Sequence, residues 1–163
     1  MANEEHLAIL KQGVEAWNEW RKPRSGILDI IGIDLQGFDL QGINLSNTIL
    51  SASNLKHVSF RNADLSRAQM LNVDLSGSDL TKASLLEASL NGANLGHTIF
   101  NEAALSGADL NGASLLGCDM QSATLYDASL FMTTIVSGDF SGTDMTKANL
   151  GGTIIVDVDL SDC

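Results

Sequence analysis

Ala63-Asp64-Leu65-Ser66-Arg67 recurs with small changes as Ala93-Asn94-Leu95-Gly96-His97, and again as Ala108-Asp109-Leu110-Asn111-Gly112. Reading every fifth residue outward from Leu65 gives a series from Ile30 to Leu160. All 27 positions are large and apolar, and no insertion breaks the phase. Call this position i. Position i−2 is small, as at Ala68, Ala88 and Ala128. Position i−1 is often Asp or Asn, and position i+2 is often Gly, as at Gly77 and Gly142.

A period of five excludes two ordinary elements. Along an α-helix, at about 100° per residue, the apolar position would walk round the cylinder. Along one flat strand, an odd period would throw every second Leu to the wrong face. The pattern closes if the chain turns once per repeat. Positions i−2 and i then point inward, i−1 points out, and the step from i+1 to i+2 makes the corner. Four sides form a coil of 20 residues, and coils stack through parallel backbone hydrogen bonds about 4.8 Å apart.

These units resemble those of the pentapeptide-repeat family, whose repeat reads Ala-Asp-Leu-x-x. The resemblance spans about residues 28 to 162. It implies an all-β solenoid, the right-handed quadrilateral parallel β-helix, with an N-terminal α-helical cap supplied by this chain's own first residues. Roughly 6.5 coils would give a rod about 31 Å long. The expected organisation is a capping helix and linker over residues 1–24 and the repeat β-helix over residues 25–163.

The cap is read from residues 3 to 21 as one helix. Asn3 suits an N-cap, and Glu4 and Glu5 favour the first turn. Leu7, Leu10, Val14 and Trp17 then form one apolar stripe. Arg21 and Lys22 follow, and Pro23 discourages continuation. Glutamates on the polar face, Glu4, Glu5, Glu15 and Glu19, disfavour a membrane-binding role for this stripe. At the other end, Leu150, Ile155 and Leu160 occupy the last coil of the sequence; either a symmetric second copy covers them, the preferred reading, or Asp157, Asp159 and Asp162 alone guard the edge.

The chain has 163 residues and a formal net charge of −11. Such a balance argues against direct binding to nucleic acid or to anionic membrane, and leaves a protein partner open. The start lacks the basic and apolar regions of a secretory signal. With Cys118 and Cys163 read as free thiols, the expectation is a cytoplasmic protein.

No catalytic, metal or cofactor set is expected. His57 and His97 lie two coils apart, about 9.6 Å, too far to share a zinc ion. Cys118 falls at i−2 and reads as a small buried residue.

Two surface features remain. Asp39, Asp79, Asp119, Asp139 and Asp159 share one column, interrupted by Ser59 and Ile99. Their structural role would be hydrogen bonding to backbone at the corners. Crowded carboxylates there would also raise one another's pKa. Some pentapeptide-repeat proteins are DNA mimics that bind DNA gyrase. The resemblance therefore implies, as a second reading, an acidic regulator of a topoisomerase. The chain departs from those relatives in carrying no projecting loop.

The other feature is apolar. Leu116, Val136 and Val156 share one i+1 column, Ile154 lies beside them at i−1, and Phe131 and Met132 form the corner leading in. A solvated repeat surface has no need of such side chains, which marks a candidate homodimer or partner surface near the C-terminal end. Local packing of Phe131 and Met132 on the neighbouring corner is the competing reading. Ion pairs along the rod are expected between Arg67 and Glu87, Lys82 and Glu102, and Asp127 and Lys147. The function expected is a non-enzymatic interaction or scaffold module.

Overall fold

The computed structural model describes residues 4–163. Parallel β-bridges join residue n to residue n+20 from Asp34↔Asn54 to Ser129↔Asn149. The sides of each coil are short. Among the described residues five reach strand length: β1 (Leu28–Asp29), β2 (Thr48–Ile49), β3 (Ser114–Leu116), β4 (Thr134–Val136) and β5 (Ile154–Val156). β1 pairs with β2, and β3, β4 and β5 form one parallel sheet, all in the twenty-residue register.

The fives series is the core. Every member from Ile30 to Phe140 is buried. The last four are less so: Met145 and Leu160 are half-buried, while Leu150 and Ile155 are 37% and 38% exposed.

Corners follow from backbone geometry. The i+2 residues take φ near +55 to +70°, whether Gly77 (+69°) or non-glycine Asn47, Lys82 and Glu102. That conformation costs a non-glycine residue of order 1 kcal/mol. The stacking of each corner on the next holds it in place.

Polar residues at i−2 keep the interior satisfied. Hydroxyls of Ser78, Thr98, Thr133 and Thr143 donate to carbonyls 23 residues earlier, at Leu55, Leu75, Leu110 and Met120. Gly138 is a different case in the same position. A Cβ there would stand 2.9 Å from the Phe140 ring and 3.1 Å from the Cys118 carbonyl, so the glycine makes room for the ring.

The N-terminal segment forms two helices where one was expected. α1 spans Glu4–Leu10 and α2 spans Val14–Arg21. Gly13, at φ +100°, leaves helical geometry between them and redirects the chain. Leu10 and Trp17 are buried, and Leu7 and Val14 are partly buried against the same core. The expected N-cap, Asn3, lies outside the described residues.

Candidate functional site

Within the rod, each i−1 residue turns both its N–H and its C=O toward the N-terminal end. Asn54 shows the pattern: its N–H donates to Ile33 O at 2.9 Å, and its C=O accepts from Leu35 N at 2.9 Å. The four first-coil counterparts are Asp29, Asp34, Asp39 and Asn44.

Side chains from the helices meet these groups at Asn44 and at the Asp29 carbonyl. The Trp17 indole N–H donates to Asn44 O at 2.6 Å, and the Asn18 carboxamide oxygen accepts from Asn44 N–H at 2.8 Å. Asn18 also donates to Gly42 O, and Arg21 Nη2 donates to Ser46 O at 2.7 Å. His6 Nδ1 lies 3.1 Å from the Asp29 carbonyl. Arg21 is almost fully buried, and its other amino group reaches Arg24 O. Burial pushes the Arg21 guanidinium below its ordinary range, opposed by the charge of Asp64. Sequence reading took Arg21 for a helix-ending charge. Only the fold shows it as a donor to the first coil.

At the C-terminal end, β3, β4 and β5 bring Leu116, Val136 and Val156 into one row, through the partners Leu116↔Val136 and Val136↔Val156. Leu116 is 47% exposed, Val156 44% and Ile154 58%. Val136, between two neighbours, is half-buried. Phe131 and Met132 lean on the next corner. Cβ atoms built on Gly151 and Gly152 would meet Phe131 Cδ2 at 3.1 Å and Met132 Cγ at 3.4 Å. Both remain largely exposed.

The aspartate column behaves as corner hardware. Asp39, Asp79, Asp119, Asp139 and Asp159 each accept the backbone N–H two residues on, from Gln41, Thr81, Gln121, Ser141 and Ser161. Titration is governed at Asp79 by burial, hydrogen bonds and Arg61, and at Asp139 and Asp159 by hydrogen bonds, not by neighbouring carboxylates. At Asp79 burial acts upward, but the Thr81 hydroxyl and N–H and the Arg61 guanidinium outweigh it, and the pKa falls. Hydrogen bonds from Ser141 and Gln121 lower Asp139, and those from Ser161 lower Asp159. Among the described residues the bridge ladder of this column ends at Asp119↔Asp139 and does not reach Asp159.

Of the expected ion pairs, Arg67–Glu87 (2.9 Å) and Lys82–Glu102 (3.5 Å) form. Lys147 does not meet Asp127. It lies over the Tyr126 ring, 4.9 Å from its centroid, and reaches the phenol oxygen. Two diagonal pairs, Lys56–Asp74 and Arg61–Asp79, join residues 18 apart. Burial pushes the Cys118 thiol up to about 12, which keeps it protonated and unreactive. Among the described residues no group of His, Cys, Asp and Glu is arranged to hold a metal ion, and no helix is long and apolar enough to cross a membrane.

The sequence signature described as pentapeptide repeats matches in 8 copies, over residues 29–67, 68–103, 98–131 and 136–162. Comparison with curated proteins returns no match. Among solved structures the chain is similar to HetL, a pentapeptide repeat protein involved in heterocyst differentiation regulation from the cyanobacterium Nostoc sp. strain PCC 7120. The two share 24% identity over 98% of this chain and 95% of that one, with a TM-score of 0.54. It is also similar to QnrB1, a plasmid-mediated fluoroquinolone resistance protein, at 18% identity over 84% and 85% of the two chains, TM-score 0.40. A third, alr5209 from Nostoc PCC 7120, is 29% identical over 64% and 71% of the two chains, TM-score 0.41. Pentapeptide repeat proteins form right-handed quadrilateral β-helices. With eight repeat matches along most of its length and an unbroken twenty-residue register, this chain belongs to the pentapeptide repeat family.

Proposed function

We propose that this chain is a non-enzymatic protein-interaction module, and that its contact surface is the apolar row at the C-terminal end. In this reading residues 1–24 form a helical cap and linker, and residues 25–163 are the interaction rod. The observation that carries it is the β3–β4–β5 face. Leu116, Val136 and Val156 pair along one parallel row, Leu116 and Val156 exposed and Val136 half-buried, with exposed Ile154 and Ile155 on the same strand β5. Contiguous apolar surface of this kind marks sites of association on otherwise polar proteins.

The occupant proposed is a second copy of the chain. A two-fold contact would place each apolar row on its equivalent, and would cover Leu150 and Ile155 in both copies. The test is sedimentation equilibrium of the parent and of the double variant Val136→Lys, Val156→Lys. The parent sediments at twice the chain mass and the variant at the chain mass. A monomeric parent, or an unchanged variant, removes the dimer reading.

The anionic-stripe reading has less support. Each aspartate of the column commits one oxygen to its own corner, and Asp79 and Asp139 are further engaged by Arg61 and Gln121.

A further inference from the structure

The helices leave two sides of the first coil without partners. Asn44 has both backbone groups engaged, and Asp29 has its carbonyl engaged. Among the described residues nothing meets the N–H or C=O of Asp34 or Asp39, although the equivalent groups of Asn54 and Asp79 are bonded. An unpaired strand edge of this kind is a template for another extended chain.

The Asp34 edge opens onto a cavity of about 680 Å³ between α1 and the first coil. Leu7, Leu10, Ile31, Ile33 and Phe38 supply its apolar wall, with Glu4 and Asp34 also lining it. Phe38 is 46% exposed and Ile31 36%. A second cleft of about 510 Å³ shares Asp34 and Phe38 and continues toward His57. Glu4 and Asp34 line the groove together with one cation, Lys11. One Asp34 oxygen accepts from the Gln36 N–H and the Asn54 carboxamide, and Asp39 follows next along the edge.

We infer that this groove binds an extended, basic peptide segment by strand addition. Its backbone pairs with the free N–H and C=O of Asp34. One apolar side chain enters the groove between Leu7 and Phe38, and a flanking Lys or Arg faces Glu4 and Asp34. Main-chain pairing supplies the docking geometry, and the groove selects the side chain. A second copy of the chain is a poor occupant. Its own exposed strand, β5, is followed by Asp157, Asp159 and Asp162, which would bring like charges together.

The test uses the whole chain, uniformly labelled for NMR, and the probe acetyl-Lys-Val-Leu-Val-Arg-amide. Two comparison peptides complete it: the same peptide with an N-methylated central leucine, and one with Glu at both ends. The probe should shift the Asp34 and Asp39 amide resonances and slow their hydrogen exchange. N-methylation removes a backbone donor and should weaken binding roughly tenfold, as should Phe38→Lys, a change at an exposed position. The acidic peptide should bind more weakly than the probe. Absence of shifts at Asp34 and Asp39, or equal binding of the N-methylated peptide, overturns strand addition. Equal binding of the acidic peptide overturns the assigned charge preference.

Discussion

The indole N–H of Trp17 meets the Asn44 carbonyl where, in every later coil, a backbone N–H from the preceding coil would stand. Asn18 completes the substitution by accepting from the Asn44 N–H. Two neighbouring side chains of α2 therefore bond both backbone groups of Asn44, and the Trp17 ring is buried at the same time.

Trp17→Phe should separate those two contributions. The ring stays apolar, but the Asn44 carbonyl loses its donor at a partly buried place. Leaving such a group unpaired costs about 1–3 kcal/mol. The check is chemical denaturation of both proteins, with the midpoint lowered and the slope unchanged.

Position along the rod should decide the cost of a core change. Leu95 is fully buried mid-rod, whereas Leu150 is 37% exposed. Leu95→Asp buries a charge with no partner and should cost upwards of about 3 kcal/mol or prevent folding. Leu150→Asp should be far milder. Thermal melts of the two variants read the difference, and equal melting would mean that the fives series does not face the axis.

Gly138→Ala should destabilise although it restores the small-residue rule. Its Cβ would press on Phe140 and on the Cys118 carbonyl, neither of which can yield without moving the coil. Overpacking of this kind costs about 1–3 kcal/mol. Gly138→Ala combined with Phe140→Leu should recover part of the loss in a double-mutant cycle.

Acid should weaken the fold through the corner aspartates. At Asp79 burial acts to raise the pKa, but the Thr81 hydrogen bonds and Arg61 win, so the folded value lies below the unfolded one. A depressed carboxylate contributes stability that is present above its unfolded pKa. That contribution is lost as pH falls through the folded value, so the decline falls below about pH 4. Asp79→Asn retains an acceptor for Thr81 and should flatten that part of the stability curve. An unchanged acid limb would contradict the assignment.

The rod was legible in the residues because its signal is a strict period. Leu65, Leu95 and Leu110 carry it without interruption, and the Arg67–Glu87 pair follows once twenty residues make a coil. Other features depend on direction in space. Gly13 breaks the N-terminal helix, yet Leu7, Leu10, Val14 and Trp17 keep helical spacing across it, so periodicity alone reads through the break. The Arg61–Asp79 pair is diagonal, joining i+1 to i−1 of the next coil, and columns of equal position do not display it. Lys147 turns to Tyr126 because an aromatic face beside it competes with Asp127. The partial covering of the first coil had no signature, since Asn18 and Arg21 are ordinary polar residues on a helix.

Amide hydrogen exchange of the free protein tests the rod and its N-terminal end most directly. Asp34, Asp39 and Asn44 occupy equivalent positions on three sides of the first coil, but among the described residues only the Asn44 N–H finds a partner, Asn18. Asn94 is the internal reference, bonded to Val73 O at 2.9 Å. The predicted result is slow exchange at Asn94, measurable protection at Asn44, and fast exchange at Asp34 and Asp39. Equal exchange at Asn44 and Asp34, with Asn94 protected, would contradict the covering of that edge by the helices, and fast exchange at Asn94 would contradict the stacked rod itself.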